Sequence, residues 1–193
     1  MPNLTIIVAS TRPGRAGLAI ATWFAERARA HGAFDVRVVD LAAVNLPMLD
    51  EPDHPRLRRY RNQHTWEWSA TVDSADAFAF VTPEYNHGYP ATLKNAIDYL
   101  HDEWASKPVG FVSYGGVAAG TRAIAQLNQV VTAIRMVPLR QSVNIPFHPQ
   151  LFGDDGRLHP NEVMDQAAVA MLDALVAAEI VLRPLRTDLP RAA

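Results

Sequence analysis

At 193 residues, with 49% apolar residues, a net charge of −2 and no cysteine, the chain is long enough for a full core. The lack of cysteine excludes disulfides, thiolate nucleophiles and thiolate metal sites. The near-neutral charge balance offers no concentrated basic face for nucleic acid, and no run approaches the roughly 18 apolar residues of a membrane span.

Met1-Pro-Asn-Leu-Thr-Ile-Ile-Val enters a strand at once, without a basic leader. A secretory signal is therefore not expected, and a cytoplasmic protein is. Leu4 to Ala9 reads as a buried first strand. Ser10-Thr-Arg-Pro-Gly-Arg-Ala-Gly17 is rich in turn residues, and a helix follows from Leu18 to about Ala30, stopped by Gly32. Val36, Val38 and Val39 mark a second strand ended by Asp40.

Residues 41–62 are irregular, with Pro47, Pro52 and Pro55 breaking any helix. Arg56, Arg58, Arg59 and Arg61 make a basic run there, read as a solvated loop or, alternatively, as a lid or subunit contact. A helix over about 63–75 carries Trp66 and Trp68, which cannot share one face; one belongs in the core and the other is exposed.

Ala77 to Thr82 is a third buried strand. Pro83-Glu-Tyr-Asn-His-Gly-Tyr89 is a loop of polar, aromatic and conformationally special residues, an expensive choice for a connector. Pro90 suits the start of the next helix, whose Leu93, Ile97 and Leu100 recur at helical spacing. Lys107 to Tyr114 is the fourth strand, Gly115 to Gly120 a second glycine-rich loop, and about 121–135 a helix. Met136 to Val143 gives a fifth strand with a bend at Pro138, then 144–159 is irregular and a last helix covers about 161–182. Residues beyond Pro184 read as a loose tail.

Strands alternating with helices predict an α/β fold: one three-layer α/β/α doubly wound domain over 1–193, with a five-stranded parallel sheet in order 2-1-3-4-5. In that order the chain reverses direction between strands 1 and 3, and ligands bind in the crevice where it does. The loops after strands 1, 3 and 4 converge there.

The first loop suits a phosphate. Ser10 offers a hydroxyl, Arg12 a planar fork, and the helix start that follows offers free N–H groups. A blander reading makes Ser10 a turn cap and Arg12 a surface charge. Neither G-x-G-x-x-G nor G-x-x-x-x-G-K-[ST] is present, so one terminal phosphate is expected rather than a pyrophosphate. The other two loops suit a flat ring: Pro83 and Tyr85 give apolar surface, Asn86 a hydrogen bond, and Gly115 and Gly116 clear space. Glu84 either serves the ligand end remote from the phosphate or makes a cap or salt bridge. Tyr85 and Tyr89 have half-buried packing as their alternative role. No histidine pair has metal spacing, and His87 is a loop-surface residue or a substrate-positioning one.

Ser-Thr-Arg-Pro-Gly-Arg, together with Pro-Glu-Tyr-Asn-His-Gly-Tyr-Pro-Ala-Thr-Leu-Lys-Asn-Ala-Ile-Asp-Tyr-Leu, resembles the NADPH-dependent FMN reductase family of flavodoxin-like proteins over about residues 4–145. The resemblance implies that Ser10, Arg12 and the backbone of Arg15, Ala16 and Gly17 hold an FMN phosphate. Pro83, Glu84, Tyr85 and Asn86 would border the ring, and Ser113, Gly115 and Gly116 would close its other edge. Two positions depart from the family pattern. Ala9 stands where many members have Gly, and Arg15 where many have a second phosphate-binding Ser.

The implied activity is ping-pong hydride transfer from NADPH or NADH to bound FMN, then to a small electron acceptor such as a flavin, quinone, azo compound or metal oxyanion. No catalytic side chain is expected, because the cofactor carries the chemistry. The resemblance also implies a homodimer or homotetramer. The alternative from another class is a flavodoxin-type electron carrier without its own NAD(P)H reaction; such carriers are usually strongly acidic, which a charge of −2 disfavours. A third reading is a binding module that kept the fold and lost the flavin.

Overall fold

The computed structural model describes residues 1–187. Its centre is one parallel sheet of β1 (Asn3–Val8), β2 (Asp35–Asp40), β3 (Ala77–Pro83), β4 (Pro108–Tyr114) and β5 (Val137–Ile145), in the order β2-β1-β3-β4-β5. All four pairings are parallel, as strands joined by helical crossovers must be. This is the expected doubly wound α/β architecture.

β3 and β4 are buried along their whole length, which explains their unbroken apolar runs. One face of the sheet packs α1 (Gly17–His31) and α6 (Glu162–Thr187) against Ile6, Val8, Ala79 and Val112. The other face packs α3 (Gln63–Asp73), α4 (Ala91–Asp98) and α5 (Thr121–Ala133) against Ile7, Phe78, Phe80 and Phe111. Alternate strand residues thus feed opposite cores. α6 lies so close to β4 that a Cβ on Gly110 would come within 2.7 Å of the Met171 sulfur.

Most element ends fall where the sequence marks them. Gly32 closes α1 with φ 76°, a conformation glycine adopts without strain. Trp68 is buried at 1% exposure and Trp66 is 47% exposed, as their spacing requires. The bend expected at Pro138 appears as a register shift: Val109 pairs Pro138, but Phe111 pairs Ser142.

Two expectations need correction. Residues 41–62 are not free of helix: α2 (Leu41–Val44) forms a single turn before Pro47, because Asp40 Oδ1 accepts the Ala42 N–H and caps it, and Pro55–Leu57 forms a 3-10 turn. The last helix does not end near Leu182, and residues 185–187 are not a tail. α6 runs through Pro184 to Thr187. Arg186 anchors its last turn, reaching Asp76 Oδ1 at 3.0 Å and Glu179 Oε1 at 2.7 Å. The rest of the expected tail, 188–193, lies outside the described residues. Among the described residues no helix is long and apolar enough to cross a membrane.

Candidate active site

The loops at the carboxyl ends of β1, β3 and β4 meet in one cavity of about 570 Å³, within the usual range for small-molecule sites. Of the residues singled out in the sequence, Ser10, Arg12, Arg15, Ala16, Pro83, Glu84, Tyr85, Gly115 and Gly116 line it.

The β1 loop is shaped by a tight turn. Arg15 N–H donates to Arg12 O at 3.2 Å across Pro13 and Gly14, and Gly14 has φ 70°. Proline followed by a positive-φ glycine is the signature of a type II turn. The turn delivers the chain into α1, whose N-cap, Ala16, carries no side-chain hydrogen bond, and whose first turn holds no acidic residue. The partial positive charge at this helix start is therefore left for an anion in the cavity. Ser10 is almost fully buried, and its Oγ lies 2.7 Å from Tyr85 Oη.

The Arg15 side chain turns to Asp40 at the end of β2 and pairs with its Oδ2 through Nη2. Arg15 Nε is buried and has no hydrogen-bond partner among the described residues. A donor left in that state costs roughly 1–3 kcal/mol unless a ligand or water supplies an acceptor. Arg12, in contrast, is exposed, and its side chain makes no hydrogen bond or ion pair among the described residues.

The β3 loop folds back on itself. Tyr85 and Gly88 exchange backbone hydrogen bonds at 2.8 and 2.9 Å, with Asn86 at φ 49° and His87 at φ 70° between them. Two consecutive positive φ values make a type I′ turn, for which Asn suits the first position. Asn86 is thereby carried to an exposed tip and does not line the cavity; Gln126 holds that tip through the His87 carbonyl at 3.1 Å.

Glu84 faces the other way, toward the start of α5. Its Oε1 accepts from Arg122 Nε at 2.6 Å and also pairs with Nη2, and its Oε2 accepts the Arg122 N–H at 3.3 Å. The Arg122 guanidinium holds this carboxyl below the usual carboxylate range. The ion pair with Arg122 is formed, and Glu84 is at the same time one of the residues that line the cavity.

Gly17 and Ser113 also stand behind the cavity wall rather than in it. A Cβ on Gly17 would come within 2.7 Å of Tyr114 Oη, so glycine lets α1 start directly over that phenol. Ser113 Oγ donates to Ala119 O at 2.6 Å and bears on Gly120, supporting the glycine-rich turn from below.

Four lining residues come from a loop that sequence reasoning passed over: Phe147, His148, Pro149 and Gln150, after β5. This loop is clipped to the β4 loop. Phe147 N–H donates to Gly116 O at 3.3 Å and His148 N–H to Gly115 O at 3.4 Å. His148 Nδ1 lies 3.2 Å from that same carbonyl, which can only accept, so Nδ1 carries a proton. Its ring meets Tyr114 edge-on at 5.0 Å, and Tyr114 also lines the cavity, its phenol pushed above its ordinary pKa by burial. The available signal was positional: in the 2-1-3-4-5 order β5 lies beside β4, so their carboxyl ends share a rim.

The chain is similar to several known proteins. An NAD(P)H-dependent FMN reductase of Schizosaccharomyces pombe is 41% identical over 149 residues, covering 75% of this chain and 74% of the relative. An NAD(P)H-dependent FMN reductase of a Nectria species is 35% identical over 156 residues, 76% of each chain. Among solved structures, a flavoenzyme NAD(P)H:(acceptor) oxidoreductase of Paracoccus denitrificans superposes with a TM-score of 0.73 at 21% identity, over 94% of this chain and 98% of that one. The family model described as NADPH-dependent FMN reductase matches residues 2–150, which takes in β1 to β5 and every loop of the cavity. The chain belongs to the NADPH-dependent FMN reductase family.

Proposed function

We propose that the chain binds FMN in this cavity and uses it to reduce a small acceptor at the expense of NADPH or NADH. The observation that carries this reading is the division of one cavity into a cationic, hydroxyl-bearing end at the β1 loop and an apolar, glycine-lined end between the β3 and β4 loops. The residues fit the group. The start of α1 lacks a side-chain cap, and the buried Arg15 Nε lacks an acceptor.

FMN, when bound, supplies the hydride-accepting and hydride-donating chemistry. The chain supplies the hold. Ser10, Arg12, Arg15 and the N–H groups from Arg15 to Gly17 would bind the phosphate. Pro83, Glu84 and Tyr85 would border the ring from the cavity wall and Asn86 from the exposed tip beyond it, and Ser113, Gly115 and Gly116 would close its far edge. Gly17 and Ser113 would serve from beneath, by packing and by turn support. His148 and Phe147 add a further wall. No side chain is assigned a proton-transfer role.

NAD(P)H and the acceptor, a flavin, quinone, azo compound or metal oxyanion, would occupy the cavity mouth in turn, giving ping-pong kinetics. A homodimer or homotetramer is proposed with it; the exposed Met48, Leu57 and Trp66 supply apolar surface for a subunit contact. A cytoplasmic location is proposed with it. An anaerobic stopped-flow experiment tests the reading by following flavin absorbance on mixing with NADPH or NADH. Bleaching by the nicotinamide alone, and parallel double-reciprocal plots with a quinone, are expected. Protein that binds FMN but stays yellow with both nicotinamides would be an electron carrier instead.

A further inference from the structure

We infer that Arg15, held in place by Asp40, is the residue that makes this cavity prefer a phosphorylated flavin over an unphosphorylated one. The inference rests on the flavin reading above and adds a specificity role to one side chain. It starts from the difference between the two arginines of the β1 loop. Arg12 is exposed and unpaired by its side chain among the described residues. It must give up most of its rotamer freedom to engage an anion. Arg15 has already done so.

The Arg15 guanidinium pairs with Asp40 Oδ2. The other carboxylate oxygen, Oδ1, accepts the Ala42 N–H at 3.0 Å. Asp40 is therefore pinned at both oxygens, by the cap of α2 on one side and by Arg15 on the other. It fixes the guanidinium plane before any ligand arrives, which makes Asp40 a positioning residue.

Arg15 also has donor capacity to spare. Among the described residues only Nη2 makes a hydrogen bond and Nε has no partner; 19% of the side chain remains open, and Arg15 is one of the residues that line the cavity. Arg15 directly precedes Ala16, the N-cap of α1, and both line the same cavity. A planar fork with fixed orientation matches the oxygens of a phosphate.

The Arg15–Asp40 pair is neutral as a unit. Its contribution is directional hydrogen bonding at short range, not long-range attraction, and should depend little on salt. The contribution of the free Arg12 charge should be screened by it. Charge attraction alone would favour Arg12; preorganisation favours Arg15.

Riboflavin, which shares the ring and lacks the phosphate, is the internal control. Dissociation constants for FMN and riboflavin are measured by flavin fluorescence on the full chain, for wild type, Arg15→Met, Arg15→Gln, Asp40→Asn and Arg12→Met, at low and high salt. Arg15→Met should reduce the preference for FMN by about tenfold or more, the effect of losing a charge-assisted hydrogen bond, with riboflavin affinity little changed. Arg15→Gln should do the same and serves if the Met variant does not fold. Asp40→Asn should reduce the preference by less, and Arg12→Met should reduce it mainly at low salt. A wild-type preference retained in Arg15→Met or Arg15→Gln overturns the inference while the flavin reading stands. A raised preference in Asp40→Asn overturns the positioning role of Asp40. Wild-type protein that binds neither flavin overturns both readings together.

Discussion

Ser10 Oγ and Tyr85 Oη lie 2.7 Å apart, a hydrogen bond that ties the loop after β1 to the loop after β3 across 75 residues of sequence. It joins the end of the cavity proposed for the anion to the end proposed for the ring. When the phenol donates, Ser10 keeps its own proton for a third partner, and the two walls are set relative to each other before a ligand enters.

Tyr85→Phe keeps the ring and removes the bridge. FMN affinity should weaken by roughly three- to tenfold, the range for one neutral hydrogen bond, with little change in thermal stability because Tyr85 is partly exposed. A fluorescence titration with FMN checks this. Equal or tighter binding would mean the bridge opposes the ligand instead of preparing for it.

Glu84 and Arg122 hold the β3 loop against the start of α5 through three contacts. Glu84→Gln should lower stability by roughly 1 kcal/mol, a value kept small because Arg122 is half exposed. The Glu84 carboxyl is held below its usual range by Arg122, so its contribution is complete above the unfolded-state value near 4.5 and fades as pH falls through the lower folded value. Wild type and variant should therefore differ by a constant amount from pH 7 to pH 5 and converge at more acid pH. Denaturant melts across that range test it; a difference that already shrinks between pH 7 and pH 5 would refute it.

Lys107 is buried beneath the sheet, its Nζ donating to Val72 O at 2.8 Å and Asp73 O at 3.1 Å, the last carbonyls of α3. Burial pushes its pKa down from 10.5 to about 8. Between those two values the unfolded chain binds a proton that the folded chain does not, so stability gains with rising pH. Relative to Lys107→Met, wild type should gain on the order of a few kcal/mol between about pH 8 and pH 10. Guanidinium unfolding of both proteins at several pH values measures the gap, and a flat difference would show that the amine titrates normally.

Arg186 clamps the end of α6 to the β3 side of the sheet through Asp76 and Glu179. The Glu179 side chain is only 1% exposed, so Arg186→Ala leaves a buried carboxylate with Arg183 as its remaining cationic partner. The variant should lose roughly 2 kcal/mol and melt several degrees lower, with FMN affinity unchanged because the clamp is remote from the cavity. A large drop in FMN affinity at unchanged stability would contradict this placement.

The layout of the site was partly legible before any coordinates. Pro83 to Tyr89 and Ser10 to Gly17 announce themselves because turn chemistry and helix starts are local, written within a few residues of each other. Asn86 was legible as unusual but not as to its place. Its positive φ belongs to a type I′ turn that carries it to an exposed tip outside the cavity lining, and only the backbone exchange between Tyr85 and Gly88 decides that. Phe147 to Gln150 read as irregular chain because their contribution depends on the neighbouring strand. The chain beyond Pro184 read as loose because Pro184 is a local stop signal, whereas the ion pairs of Arg186 that override it span 7 and 110 residues.

By itself, the sequence determined the alternation of strands and helices, the parallel sheet and the two loops that announce an anion and a flat ring. These follow from apolar periodicity and backbone preference, which act over a handful of neighbours. The tertiary structure alone decided that Glu84 turns to Arg122, that Arg15 turns to Asp40 and that the β5 loop completes the wall. Those outcomes depend on which charged groups are brought within hydrogen-bonding reach once the strands are in register. Partners 25 or more residues apart leave no local trace of one another.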